Sequence, residues 1–174
     1  MTTVAACLCE GTAEEVIMKK LLEAHKLTFS KEELLGKDIL RVRSGRRFAT
    51  NYLNHTFSKT IQVYRIHDSK SEAFKLPKPY EQKIKLIDIY TTPEIEMLMI
   101  FKEGLYNDWV KEKNHNIKPS EFCSERFPKN NIKSREFNEC YWDVDAIIAS
   151  AKEYDQKTKK SGKSINDLII ANNC

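Results

Sequence analysis

Apolar and polar residues follow one another along the chain with a period that changes several times. Residues 3–9 form a continuous apolar run ended by Gly11, a pattern typical of a strand buried on both faces. Residues 39–43 alternate between apolar and basic side chains, and residues 61–67 alternate again, so each segment predicts a strand. Residues 84–90 are the fourth strand candidate.

Helical periodicity lies between and after these strands. Apolar residues share one face of residues 13–25, which predicts a helix with Thr12 as its N-cap and Glu15 at the capping-box position. Residues 93–113 predict another helix, because they begin with a proline, which is favoured at a first helical position. The other predicted helices cover residues 46–57, 119–127, 142–157 and 164–172.

The order of these elements predicts the fold class. Strands that alternate with helices favour a parallel sheet between layers of helices. We therefore expect a three-layer α/β fold with a mostly parallel four-stranded sheet and a C-terminal helical extension. Strand signals fade after residue 113, so the predicted domains are an α/β core over residues 1–113 and a helical extension over residues 114–174. The extension is expected to pack on or beside the core.

Composition narrows the class of protein. Apolar residues make up 41% of the chain and charged residues 31%, which is ordinary for a soluble globular protein. No segment reaches the roughly 20 apolar residues that span a bilayer, and the N-terminus lacks the pattern of a signal peptide. The five cysteines are odd in number and match no zinc spacing, so buried thiols in a reducing compartment are expected. We therefore predict a cytoplasmic protein with no membrane partner.

Acidic residues follow several predicted strands, where functional groups of parallel sheets gather. Carboxylate oxygens are the ligands that Mg²⁺ prefers, and such ions support phosphodiester cleavage. The predicted carboxylates at this edge are Glu10, Glu14, Asp68, Glu94 and Glu96. Glu14 and Glu94 have a simpler interpretation as acids that interact with helix N-termini, and His67 is equally well explained as a structural histidine or a site residue.

Basic residues surround the end of the second predicted strand. The chain carries a net charge of +4, and part of its positive charge is concentrated in the segment RVRSGRR. Lysine and arginine side chains neutralise phosphates and position nucleic acid. The predicted nucleic-acid-binding residues are Arg41, Arg43, Arg46 and Arg47. A solvated basic face explains the same cluster equally well.

The segment CEGTAEEVIMKKLL, which begins at Cys9, resembles the first motif of Toprim domains: a strand, then Glu-Gly, then a second acid at the start of a helix. The resemblance covers about residues 3–113 in element order. Toprim domains occur in topoisomerases, bacterial primases, maturation ribonucleases and overcoming-lysogenization-defect nucleases, whose small relatives are often defence proteins. The resemblance implies that Glu10 is a general acid/base or a metal ligand, and that Asp68 is a metal ligand.

The second Toprim motif is incomplete. That motif is Asp-x-Asp at the end of a strand, whereas here Asp68 has Ile66 two residues before it and Lys70 two residues after it. His67 or Glu72 could replace the missing carboxylate, with Lys70 as an auxiliary residue. A histidine ligand would favour Mn²⁺ over Mg²⁺.

The sequence thus predicts a nuclease or related phosphoryl-transfer enzyme that depends on Mg²⁺ or Mn²⁺ and acts on DNA or RNA, and the resemblance to the small Toprim relatives implies a role in phage defence. Glu10, Glu14 and Asp68 are its predicted catalytic residues, and Glu10, Asp68 and Glu96 its predicted metal ligands. A non-catalytic module that binds nucleic acid, or assembles with a protein partner or a second copy, is the alternative. A domain that binds a nucleotide is a weaker alternative, because the chain has neither GxGxxG nor GxxxxGK[ST].

Overall fold

The computed structural model describes residues 4–53, 60–68, 73–91, 95–113, 116–158 and 162–170. One sheet of four parallel strands has the order β2-β1-β3-β4. Its strands are β1 (Val4–Cys9), β2 (Leu40–Arg41), β3 (Ile61–His67) and β4 (Ile84–Tyr90). The predicted four-stranded parallel sheet is therefore confirmed.

Helices follow each strand and fill the C-terminal part. The α-helices are α1 (Thr12–Glu23), α2 (Gly45–Tyr52), α3 (Lys78–Glu81), α4 (Met97–Lys102), α5 (Tyr106–Lys113), α6 (Pro119–Arg126), α7 (Arg135–Tyr141) and α8 (Val144–Lys157). Short 3₁₀ helices cover Leu35–Lys37 and Ile165–Leu168. No helix in these described ranges is long and apolar enough to cross a membrane.

The sheet is covered on both faces, as a three-layer α/β fold requires. Successive residues of β1 point to opposite faces of the sheet. Cys7 and Cys9 pack in a hydrophobic cluster with α1, α4, α6 and α8. Ala6 and Leu8 pack in a second cluster with Phe48 of α2. Because both faces are apolar, β1 appears in the sequence as a continuous hydrophobic run rather than an alternating one.

The C-terminal helices pack directly on the core. α7 contacts α1, and α8 contacts α4. Ile147 of α8 belongs to the same buried cluster as Ile17 of α1, and an ion pair of 2.7 Å joins Arg135 to Glu15. The boundary at residue 113 stays a prediction, and side chains from both sides of it share one hydrophobic cluster.

Several local predictions are wrong at helix ends. Gly11, not Thr12, is the N-cap of α1, and it makes no side-chain capping hydrogen bond. Glu15 instead pairs with Lys19 and Arg135, so its carboxylate is not available for a capping box. The predicted helix over residues 93–113 is broken between α4 and α5 by Gly104, whose φ of 68° ends α4.

Other differences concern lengths and missed elements. The strand predicted over residues 39–43 is only two residues long, because β2 pairs with β1 at Leu40 and Arg41 alone. α2 ends at Tyr52, and residues 54–57 of the longer helix prediction lie outside the described ranges. α7 was not predicted. Within residues 164–170 of the helix predicted over 164–172 the structure has only the short 3₁₀ turn, and residues 171–172 lie outside the described ranges.

The described cysteines are free thiols, as the sequence predicts, but they are not all buried. Cys7, Cys9 and Cys123 are inside the protein, whereas Cys140 is exposed on α7. Cys174 lies outside the described residues.

Candidate functional site

Glu10 follows β1 directly and is held by a buried arginine. Its Oε1 accepts a hydrogen bond of 2.6 Å from Nη2 of Arg65, and the two side chains are only 5% and 1% exposed. Leu8 pairs with Arg65 across the two strands, so alternation along β1 places Glu10 on the same sheet face. The structure therefore places the predicted catalytic Glu10 in a buried ion pair.

This ion pair continues into a row of polar side chains across β3 and β4. Nη1 of Arg65 lies 3.9 Å from Oδ1 of Asp88, and Nε2 of His67 lies 2.9 Å from the same oxygen. His67 and Asp88 do not form a well-aligned hydrogen bond at that separation. The His67 ring packs 4.9 Å from the ring of Tyr90. His67, predicted as an auxiliary site residue, thus lies inside the protein beside Asp88.

The carboxylate cleft, an open cavity of about 360 Å³, lies where the carboxyl ends of the strands meet. Three of the predicted carboxylates line it together with three cations, and these six residues are Glu14, Asp68, Glu96, Arg41, Arg43 and Lys133. The structure therefore brings predicted catalytic, metal-binding and phosphate-binding residues to one place. Glu94, Lys70 and Glu72 lie outside the described residues.

Glu14 is the most perturbed group of the carboxylate cleft. The pKa of its carboxyl is raised from the ordinary 4.5 to about 7, and burial is the largest cause. A hydrogen bond from its own backbone N–H lowers the pKa, and the negative charges of Glu96, Asp68 and Glu10 contribute to the rise. Glu14 is therefore near enough to three other acidic residues for their negative charge to disfavour its ionisation.

The absence of a side chain at Gly11 leaves space for the Glu14 carboxylate. A Cβ atom built on Gly11 would overlap the carboxylate of Glu14. The glycine of the Glu-Gly turn therefore lets the carboxylate fold back over the first turn of α1.

The carboxylate oxygens of the cleft suit a divalent cation that takes only one or two ligands from the protein. Among the described residues, no three Asp, Glu, His or Cys side chains converge closely enough to enclose an ion. Mg²⁺ commonly binds through one or two carboxylates and completes its shell with water and substrate phosphate. The open carboxylate cleft fits that mode through Asp68, which is exposed, and Glu96, which lines its wall.

Two further cavities continue from the carboxylate cleft. The middle cleft is lined by Glu10, Gly11, Arg41, Val42, Arg43, Ser44 and Arg47. The outer cleft is lined by Arg43, Ser44, Gly45, Arg46, Ala73, Lys75, Leu76 and Pro77. All four predicted arginines are exposed, and none pairs with a carboxylate in the part of the chain that the structure describes. Their charges therefore face solvent and the clefts.

Two residues at or near the candidate site were not predicted from the sequence. In the alternating strand β3, Arg65 follows Ile61 and Val63 at a position where an apolar residue is expected. This break in the alternation is the only sign of its role in the sequence. Lys133 lies in the loop before α7, and nothing in the local sequence connects it to the sheet edge. Both depend on tertiary contacts with distant segments.

Comparisons with protein-family models, curated proteins and solved structures found no match. The resemblance to Toprim domains thus stays a prediction from the sequence motifs. What the structure adds is geometric: carboxylates and exposed arginine and lysine side chains meet at the edge of a parallel α/β sheet.

Proposed function

We propose that the protein is a metal-dependent phosphoryl-transfer enzyme, and specifically a nuclease that acts on DNA or RNA. The observation that carries this proposal is that Glu14, Asp68 and Glu96 share one cleft with arginine and lysine side chains. Carboxylates suit a divalent cation, and the adjacent cations suit the phosphate groups of a substrate. A cytoplasmic location and a role in phage defence, expected from the sequence, belong to the same proposal.

In this proposal, the position of each acidic residue determines its role. Asp68 and Glu96 are the metal ligands in this proposal. The bound Mg²⁺ or Mn²⁺ would supply charge stabilisation at the phosphate and lower the pKa of attacking water. Glu14 lines the same cleft and is the better-placed proton acceptor, because Arg65 already occupies an oxygen of Glu10. Glu10 then orients the strand end and the turn that positions Glu14.

The arginines hold the substrate. Arg41 and Arg43 line both the carboxylate cleft and the middle cleft, so they can contact phosphates next to the scissile bond. Guanidinium groups bind phosphate oxygens with paired hydrogen bonds. This arrangement fixes the substrate backbone relative to Asp68 and Glu96.

Purified protein is expected to cleave fluorescently labelled DNA or RNA oligonucleotides when Mg²⁺ or Mn²⁺ is present. Glu14→Gln should lower the cleavage rate by about 100-fold or more, because a positioned acid–base group contributes on that order. Glu23→Gln is the matched control, since Glu23 is exposed at the other end of α1. The rate is measured by gel electrophoresis. Cleavage that survives Glu14→Gln unchanged, or folded wild-type protein that cuts no substrate with either metal, would contradict the nuclease proposal.

A non-catalytic nucleic-acid-binding or assembly module is the second candidate. The specific observation in its favour is the Glu10–Arg65 ion pair, which occupies the residue expected to be the general acid/base. In that case the wild-type protein binds oligonucleotides in a salt-sensitive manner, or binds a protein partner or a second copy, without cleavage. The cleavage assay therefore separates the two candidates.

A further inference from the structure

The three clefts share lining residues, so together they outline one path along the surface. Arg43 lines all three of them, and Ser44 lines both the middle and the outer cleft. The middle and outer clefts are about 520 and 630 Å³ in volume. Small-molecule sites are typically roughly 300–1,000 Å³, so one of these clefts alone is large enough for a small ligand. Three connected clefts exceed what a mononucleotide would fill.

Charge is present along the whole path. Lys133 lines the carboxylate cleft at one end, and Lys75 lines the outer cleft at the other end. Both lysines are exposed, and neither pairs with a carboxylate within the described ranges. Between them the path is lined by Arg41, Arg43, Arg46 and Arg47. A row of solvent-facing cations matches a ligand that carries a row of phosphates.

The backbone around Lys133 is fixed. The carbonyl of Ile132 accepts a hydrogen bond of 2.8 Å from Nδ2 of Asn138, and both residues are buried. Ser134 caps α7 by accepting a hydrogen bond from the N–H of Phe137. The exposed Lys133 is thus held between two anchored neighbours, at the carboxylate cleft.

The backbone around Lys75 is fixed as well. A Cβ atom on Gly45 would lie 2.5 Å from the carbonyl oxygen of Lys75, so α2 and this segment are in direct backbone contact. Phe74 packs 6.1 Å from the ring of Phe48 and beneath the Arg65 guanidinium. Lys75 therefore has a defined position at the end of the outer cleft.

We infer that the substrate is a nucleic-acid strand rather than a mononucleotide, and that Lys133 and Lys75 contact its phosphates at the two ends of the path. This inference rests on the proposed function and adds the extent of the bound strand and the two lysines that contact its ends. Its distinctive consequence is that Lys75, which lines only the outer cleft, contributes to binding an extended strand but not a single nucleotide bound beside the carboxylates.

The test is binding of labelled oligonucleotides of roughly 16 nucleotides, near the upper site size of single-strand-binding folds. Affinity is measured by fluorescence anisotropy over a range of KCl concentrations, with EDTA present to prevent cleavage. Lys75→Ala and Lys133→Ala should each reduce the slope of log affinity against log salt by about one, because each removes one phosphate contact. Lys78→Ala and Lys129→Ala are matched controls, since both lysines are exposed and close in sequence but line none of the three clefts. They should leave the slope unchanged.

Competition with adenosine monophosphate is the second measurement. We expect it to displace the oligonucleotide only weakly, and its affinity should be the same for wild type and Lys75→Ala, because Lys75 lines only the outer cleft. If Arg43→Ala weakens oligonucleotide binding while the two lysine variants match their controls, the inference fails and the nuclease proposal stands. Equal affinity for the mononucleotide and the oligonucleotide also overturns the inference alone. Wild-type protein that neither binds nor cuts nucleic acid overturns both.

Discussion

Arg65→Met is expected to lower the free energy of unfolding by about 3–5 kcal/mol, because it leaves the Glu10 carboxylate buried without its partner. The Arg65 side chain is 1% exposed, and its Nη2 atom lies 2.6 Å from the Glu10 oxygen. Once the guanidinium is removed, little water can reach the Glu10 carboxylate to stabilise its charge. Methionine keeps most of the apolar packing against Phe74. Urea unfolding followed by circular dichroism measures the change.

The chain offers a matched control for this loss. Arg126 and Glu112 also form an ion pair of 2.6 Å, but their side chains are 28% and 34% exposed. Arg126→Met should therefore cost no more than about 1 kcal/mol, as measured for solvent-exposed pairs. The double variant Glu10→Gln/Arg65→Met should recover much of the stability that Arg65→Met loses, because the Glu10 carboxylate is then no longer buried without a partner. Equal costs for the two arginine substitutions would show that burial does not determine the strength of the Glu10–Arg65 pair.

Glu14→Gln is expected to stabilise the protein by about 3 kcal/mol at pH 8 and by little at pH 4.5. The pKa of Glu14 is about 7 in the folded protein, against the ordinary 4.5. A carboxyl with a raised folded pKa binds more protons when folded, so wild-type stability falls as the pH rises from about 4.5 to about 7. Above that range the cost of ionising Glu14 is complete, and it is roughly 3 kcal/mol. Glutamine has nearly the same shape and no charge to bury.

The measurement is the free energy of unfolding of both proteins across this pH range. Glu23→Gln should track the wild type, because Glu23 is exposed on the same helix. A Glu14→Gln effect that does not change with pH would contradict the raised pKa. The expected gain in stability, together with the expected loss of cleavage, would mark Glu14 as a residue that costs stability for the sake of function.

The parts of the fold predicted well from sequence are those in which local signals agree. The apolar run of β1, the glycine turn and the amphipathic helix α1 all indicate the same strand–turn–helix unit. β2 is shorter than its alternating pattern because only Leu40 and Arg41 pair with β1. The helix predicted over residues 93–113 is broken because Gly104 adopts a left-handed conformation that periodicity does not reveal.

The site was predicted in part, for a physical reason. Glu14, Asp68 and Glu96 could be grouped because the ends of parallel strands meet at one edge. The role of Arg65 could not be predicted, because its partners Glu10 and Asp88 belong to two other segments of the chain. Alternation along one strand does not show a buried ion pair with another segment. Lys133 depends on the packing of α7 against α1.

Binding of Mn²⁺ to the carboxylate cleft is the point on which the proposed chemistry depends, and isothermal titration calorimetry tests it directly. We predict that wild-type protein binds Mn²⁺ and that Asp68→Asn and Glu96→Gln each weaken binding by at least about tenfold, since even outer-shell partners of metal ligands change affinity by 10–100-fold. Glu23→Gln should bind as the wild type does. Equal binding by wild type and both cleft variants, or no binding by the wild type, would contradict a metal site in this cleft.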